Sequence, residues 1–503
     1  MTRLHDPISC AALAYLAIPA FIFVCGWMEP PFALTISVVL AVALYRLNLQ
    51  LPERPFEYSA PALITLLILA CLWAAFSGGA HLFYANTDWR TRDAVYADLI
   101  LSSWPPAYGL SDGAPIVLRT AFGYFLPPAW LSHLAGIVWA PTILACWTAL
   151  GVLLFLLLLP LPRQLGWRLP VMVLLVAFFS GMDYPAIVLV HGHTPIFPLP
   201  LEWWRKWTYT SLSGQLLWAP NHALALWLGT GLFYRHRADP MLPALGLVLL
   251  PLLLLWTPFA VIGLLPWFAW SITRLGIPLR SMLRSSTKAQ WLTAICLSGA
   301  VAGLFTRPSI TAHSLPLVQP TTGNVPASAA AYIDWASSYI QFIAFEFAIL
   351  ALLLRPRLAE TRQALALAVG ILMLLPMIRL GPSNDWLLRV STPSLLILLL
   401  LTLAEFESPI TDLRRSIRMV SLAGVLMLGA ITPGFEFSRS ILWPRTPPNF
   451  GQSLVEQQGG FMAPNYFGLL DHAFLQALFK APSRVPDGPT RQNLLPASMH
   501  RPP

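Results

Sequence analysis

Charge is what this sequence lacks most. Of its 503 residues only 11% are Asp, Glu, Lys or Arg, while 56% are hydrophobic; a soluble domain carries about 25% charged residues. So little charge excludes a water-soluble globular enzyme, because the chain could not cover its own surface in water. Lysine is nearly missing, with only Lys206, Lys288 and Lys480. There is no dense basic tract, so the net charge of +9 does not describe a nucleic-acid surface. The five cysteines, Cys10, Cys25, Cys71, Cys146 and Cys296, have no CxxC spacing and lie in or beside apolar runs. They read as small apolar residues, with neither a disulfide framework nor a zinc site. No internal repeat is visible. Arg3 ahead of an apolar core gives Met1–Trp27 the look of a signal peptide, but no small-residue cleavage site follows and a second apolar run begins at once. It reads as a retained first helix.

What the chain has in excess is apolar run. In lipid only helices and closed barrels satisfy every backbone polar group. Val171–Ser180, Leu245–Leu255 and Leu395–Leu403 are continuous, whereas barrel strands alternate. The expectation is an all-α polytopic membrane protein. Runs of about 17–25 apolar residues cross a bilayer, which places thirteen spans at 9–26, 31–47, 60–79, 137–160, 169–184, 215–234, 240–256, 257–273, 289–306, 333–354, 363–380, 388–405 and 419–434. Around Trp256-Thr257-Pro258 the sequence fits either a tight turn or a kink in one broken helix.

Orientation follows from the basic residues. With the N-terminus inside, inner segments hold seventeen Lys and Arg and the outer loops before residue 435 hold eight. The chain is therefore expected in a bacterial inner membrane with its N-terminus cytoplasmic. Residues 1–434 form the membrane domain, with outer loops 80–136, 185–214 and 307–332. Residues 435–503 form an outer tail whose Pro-rich stretches, Trp443–Pro448 and Pro482–Pro503, read as irregular or extended. No independent soluble domain is expected.

The residues able to do chemistry gather on the outer side. In Asn86-Thr-Asp88-Trp89-Arg90-Thr-Arg92-Asp93, Asp88 falls near the N-terminus of an amphipathic helix. There a carboxylate stays ionised and can act as a general base, or can serve only as an N-cap. Arg90 and Arg92 suit phosphate contact or headgroup anchoring. Trp104–Tyr108 and Phe122–Trp130 read as an interfacial aromatic belt or a sugar-stacking surface. The second loop carries Asp183, His191-Gly-His193 and Glu202-Trp-Trp-Arg205-Lys206-Trp207. The HxH pair is compatible with a metal but has no third ligand at fixed spacing, and Glu202 with its neighbours reads as a headgroup-level platform. Asn221-His222, early in a span, reads as a polar pair satisfied within the bundle. Late in the chain, Arg379-Leu-Gly381-Pro-Ser-Asn384-Asp385-Trp-Leu-Leu-Arg389 holds either an Asp385–Arg389 ion pair at i,i+4 spacing or an arginine clamp for phosphate.

This arrangement resembles the GT-C class of integral-membrane glycosyltransferases, which use polyprenyl-phosphate-linked sugars. The likeness rests on many spans, an acidic residue soon after a span in a long first outer loop (Asp88, with Asp93 and Asp98 trailing), a C-terminal outer region, and the segments Ser180–Asp183, Glu202–Trp204 and Asn384–Arg389. Members tend to carry histidine four residues after the first aspartate, where this chain has Arg92. The resemblance implies a polyprenyl-phosphate sugar donor and a cell-envelope glycan, lipid or protein acceptor. Asp88 is then the base, with Asp93 beside it. The substrate and its phosphate fall to Arg90, Arg92, Glu202, Arg379, Asp385 and Arg389. The sequence names no cofactor and leaves metal dependence open. A transporter or flippase fits the span count too, with Glu346 as the clearest mid-span charge, and so does another carrier-lipid enzyme such as an O-antigen ligase or polymerase.

Overall fold

The computed structural model describes residues 5–111, 113–192, 194–197, 201–202, 207–305, 318–320, 329–380, 384–409, 412–463, 465–496 and 499. It is mostly helical, and every expected span contains a helix. Among the described residues eight helices are long and apolar enough to cross a membrane: Pro7–Trp27, Pro30–Gln50, Ile137–Leu158, Lys288–Phe305, Tyr332–Leu353, Ala359–Met377, Asp385–Glu407 and Leu413–Leu442. Ala60–Ala75, Arg168–Ala177 and Leu242–Trp256 are apolar but shorter. Proline decides where many of them begin. It stands in the first turn of Pro7–Trp27, Pro30–Gln50, Ala60–Ala75, Ala140–Leu158, Pro220–His236 and Pro258–Arg274, where its missing N–H would have no helical partner anyway. The ambiguous segment at 240–273 is two helices. Leu242–Trp256 stops at Thr257, whose φ of −168° is extended, and Pro258 opens the next. The last expected span is longer than 419–434: the apolar stretch Leu413–Leu442 carries the bundle eight residues past 434.

Burial separates central from peripheral helices. In Asp385–Glu407, 83% of the most apolar window is buried, against 28% in Pro30–Gln50, which turns Leu34, Val38, Val42 and Tyr45 outward as a lipid-facing helix does. Close approach of backbones needs small residues. A Cβ on Gly263 would stand 2.9 Å from the Val390 carbonyl oxygen and 3.0 Å from Pro393. The helix Pro258–Arg274 is thereby seated directly against the segment that carries Arg389.

The ionic contacts sort into two ends of the bundle. One end holds Arg235–Asp6 at 2.7 Å, Arg54–Asp239 at 3.0 Å, Arg237–Glu360 at 2.8 Å, Arg274–Glu360 at 3.2 Å and Arg418–Glu405 at 3.4 Å. The other holds Arg92–Asp88, His81–Asp93, Arg389–Asp385 and Arg491–Asp98. Every partner in the first group comes from a segment expected inside, and every partner in the second from one expected outside. The pairing is what a multi-pass chain with these turns produces.

The second end carries a cap in which the first long loop and the C-terminal tail fold together. Strands β1 (Pro106–Ser111) and β2 (Ala114–Leu118) form an antiparallel hairpin in the loop. A separate two-stranded ribbon pairs β3 (Val318–Pro320) with β4 (Ile378–Leu380). The tail supplies both edges of the cap sheet: β5 (Phe467–Leu469) runs antiparallel to β2, and β6 (Ser483–Arg484) runs parallel to β1. The described part of the Pro-rich end is therefore not uniformly irregular, since β6 and the helix Gly488–Leu494 both fall within 482–503. Trp443–Pro448 does lie outside regular structure once the helix ends at Leu442. A buried ion pair closes the cap. Arg491 Nη1 donates to Asp98 Oδ1 at 2.6 Å, both side chains being fully buried. Asp98 Oδ2 accepts from the Tyr108 hydroxyl at 2.9 Å and the Leu454 N–H at 3.0 Å. The aromatic segments also turn inward: Trp27 stacks on Phe122 at 5.2 Å and packs on Trp104 at 5.1 Å, so these rings are packing between bundle and cap rather than a belt. Trp130, 49% exposed, keeps a belt-like position.

Candidate functional site

The helix Asp88–Leu101 begins where the chain leaves the bundle. Trp89 holds it there, its ring over Gly78 and Gly79 and its Nε1 donating to the Leu217 carbonyl at 2.9 Å. Asn86, not Asp88, caps the start: the Asn86 Oδ1 accepts the Asp88 N–H at 3.0 Å. Asp88 occupies the first helical position and makes no cap bond. Its carboxylate is half-exposed and pairs with Arg92 Nη1 at 3.2 Å. The N-cap alternative for Asp88 is thus replaced by an i,i+4 ion pair facing outward.

The late turn repeats the motif. Asn384, at φ +49°, leads into the short helix Asp385–Val390, and Arg389 Nη2 pairs with Asp385 Oδ1 at 3.0 Å. The two pairs meet. Arg389 interacts electrostatically with Arg92 and Asp88 as well as with Asp385, although the two motifs stand at opposite ends of the sequence. Two helix starts lie alongside. His222 is in the first turn of Pro220–His236, and Phe259 is in the first turn of Pro258–Arg274. The Arg389 guanidinium lies 5.4 Å from the Phe259 ring centre, and His222 packs edge-on against that ring. Neither helix start has a side-chain cap, and although each opens on a proline and bonds its third N–H to the preceding turn, both offer the positive end of a helix dipole. His222 is buried, its charged neighbours are Arg389 and Arg92, and its Nδ1 has no hydrogen-bond partner. Asn221 Oδ1 has none either. The pair read as satisfied within the bundle is only partly so, since Asn221 Nδ2 does donate to the Ala121 carbonyl at 3.4 Å.

Chemically this is a place for an oxyanion beside a carboxylate. A guanidinium has donors beyond the one given to its aspartate, and two of them with helix N-termini can surround a phosphate. Asp88, the more exposed carboxylate of the two pairs, has room to meet a hydroxyl.

Other expected site residues lie elsewhere. Asp93 is buried with both oxygens engaged, Oδ1 with His81 Nε2 at 3.0 Å and Oδ2 with the Asn449 N–H at 2.9 Å. Those bonds brace the loop to the tail. In His81, burial acts to lower the imidazole, but the Asp93 carboxylate outweighs it and holds the ring above its ordinary range. Arg90 is exposed, its charge acting on the Tyr84 phenol, and Arg379 is exposed on β4. Glu202 is not a surface platform. It is buried, accepts the Ser211 N–H at 3.1 Å and the Ser211 hydroxyl, and has Glu436 and Asp183 as charged neighbours. Burial first, and then Glu436, pushes its carboxyl well above the usual range.

No family model, curated protein or solved structure matches the chain. Geometry alone therefore carries the functional reading. Among the described residues no group of three or more His, Cys, Asp and Glu is placed to hold a metal ion; His193, Arg205, Lys206 and most of loop 307–332 fall outside those residues. Sequence reasoning missed His222 and Tyr466 as site residues. An apolar run hides the first, and the second stands in the tail with no neighbouring charge to mark it.

Proposed function

We propose that this protein is a membrane glycosyltransferase of GT-C type that moves a sugar, a hexose or pentose, from a polyprenyl-phosphate donor to an envelope acceptor on the outer face of the inner membrane. The observation that supports it is that Asp88–Arg92 and Asp385–Arg389 lie within electrostatic reach of each other at one end of the bundle, with Arg389 over Phe259 beside two helix starts that have no side-chain cap. The carrier's chain would lie among the bundle's lipid-facing helices and its phosphate between Arg92 and Arg389. Asp88 takes the proton of an acceptor hydroxyl as its oxygen attacks the anomeric carbon. The bond from that carbon to the phosphate oxygen breaks, and the electron pair leaves with the phosphate. Arg92 and Arg389 offset the charge growing there, in place before the reaction begins. Asp385 fixes Arg389, as Asp88 fixes Arg92. A site outside the membrane has no access to cytoplasmic nucleotide sugars, which favours a lipid-linked donor. The test is transfer of labelled sugar from a polyprenyl-phosphate sugar by purified protein, with Arg389→Gln expected to lose most of the rate. Equal turnover by that variant refutes the phosphate role.

A different observation favours a second reading. Asp183, Glu202, Glu346 and Glu436 are each at most 6% exposed within the bundle, and buried carboxylates among spans mark proton and ion paths. A proton-coupled transporter would acidify or alkalinise proteoliposomes on substrate addition, and Glu346→Gln would abolish the signal.

A further inference from the structure

The tail brings a side chain within electrostatic reach of the site. Tyr466 sits in the turn entering β5, and its carbonyl accepts the Arg119 N–H at 2.7 Å. β5 is then fixed to β2 by the pairs Ile116–Leu469, Val117–Gly468 and Leu118–Phe467. With the Tyr466 N–H bonded to the Ala463 carbonyl at 3.0 Å, the chain is held on both sides of the residue. Two residues beyond Arg119, the Ala121 carbonyl accepts Asn221 Nδ2 at 3.4 Å, which sets this turn beside the start of Pro220–His236, and the charges of Arg92, Arg389, Asp88 and Asp385 all act on the Tyr466 phenol. From the bundle side, His222 packs edge-on against the Phe259 ring that the Arg389 guanidinium overlies, with its buried Nδ1 unpartnered.

We propose that Tyr466, from the tail, and His222, from the first turn of Pro220–His236, are the two uncharged groups that touch the phosphate held between Arg92 and Arg389, each through a hydrogen bond to one of its oxygens. This rests on the proposed function and adds the tail to its site. Two arginines already bound to aspartates leave a phosphate with more acceptor sites than they fill. A phenol and an imidazole supply further donors without adding charge. Burial holds the Tyr466 phenol above its ordinary range, so the hydroxyl keeps its proton and serves as donor. No proton is transferred from it: the phosphate leaves with the electron pair of the broken bond and keeps the hydrogen bonds. A donor aimed at developing charge in this way contributes roughly 10²–10³-fold in rate, and a hydrogen bond to a charged group contributes about tenfold in binding.

Binding to the purified full-length protein tests this without relying on turnover. Probes are farnesyl phosphate, inorganic phosphate and phosphatidylglycerol, read by titration calorimetry. The proteins are wild type, Tyr466→Phe, His222→Gln and Arg389→Gln, each checked by thermal melting. Wild type should bind farnesyl phosphate more tightly than the other two probes, and Tyr466→Phe and His222→Gln should each bind it about tenfold more weakly with unchanged melting. Should His222→Gln fail to fold, Tyr466→Phe decides alone. Full-strength binding by Tyr466→Phe, with Arg389→Gln weakened, overturns this inference and leaves the proposed function standing. If inorganic phosphate matches farnesyl phosphate and both weaken in Tyr466→Phe, the contacts are right and the carrier-lipid reading is wrong. Tightest binding of phosphatidylglycerol makes the site a headgroup anchor and overturns both, as does no binding by wild type.

Discussion

Replacing Arg491 with methionine should free the tail from the bundle. The guanidinium is fully buried, donates to Asp98 at 2.6 Å and to the Phe450 carbonyl at 2.8 Å, and is the cation Asp98 faces in its buried position. A methionine side chain would fill much of the space but leave Asp98 as an uncompensated buried carboxylate, a change that costs about 3–5 kcal/mol. Burial already holds the Asp98 carboxyl above its ordinary range, with Arg491 opposing it; without Arg491 it rises further. Removing the charge as well, in Asp98→Asn/Arg491→Met, should recover part of the loss, so the two changes together cost less than their sum by roughly 1–3 kcal/mol. The cap need not melt with the bundle, so the assay must be local. Hydrogen exchange followed by mass spectrometry on peptides covering β2 and β5 reports the opening free energy of the sheet. Arg491→Met should speed exchange there by roughly 10²–10⁴-fold and leave the buried helix Asp385–Glu407 unchanged. Wild-type exchange in the single variant, or strictly additive losses in the double, would refute the claim that this pair holds the tail in place.

Two further outcomes follow from the same contacts. His81 is raised in the folded protein, so the native state holds its proton more tightly than the unfolded chain does. The stability from its pairing with Asp93 is complete below about pH 6.5, the unfolded value, and is lost as pH rises through the folded value. Exchange of the loop and tail peptides should therefore quicken on going from pH 6 to pH 9 after correction for intrinsic rates, and His81→Gln should remove that dependence. For topology, reporters fused after Arg284 and after Gly451 should report inside and outside respectively, and the reverse pattern rejects the basic-residue assignment.

The bundle was legible because its signal is local: a run of apolar residues closed by a basic turn needs no long-range information. Pro258 likewise marked a turn or a kink, which the structure resolves as two helices, and i,i+4 spacing offered the Asp385–Arg389 pair as one of two readings. The cap was not legible. β5 has three residues and β6 two, too short for any alternation to register, and Asp98–Arg491 joins residues 393 apart. Asp88, Asp93 and Asp98 look alike in the sequence, yet helix geometry turns Asp88 outward and the other two toward the tail. Glu202 was read from its charged and aromatic neighbours as a surface group, while the fold buries it against Ser211. The seating of Arg389 over Phe259 is a property of helix packing, set partly by the missing side chain at Gly263, and no spacing rule encodes it.

The central claim is that Asp88 is a base in a sugar-transfer site, and Asp88→Asn tests it most directly. Asparagine keeps the size of the side chain, and the helix start is capped by Asn86 rather than by residue 88, so folding should be unchanged apart from loss of the half-exposed pair with Arg92, about 0.2–0.5 kcal/mol. Transfer from a polyprenyl-phosphate sugar, measured at matched folded protein, should fall by roughly 10²–10⁴-fold, the usual contribution of a general base. Turnover within a few-fold of wild type by a folded Asp88→Asn protein would contradict the account.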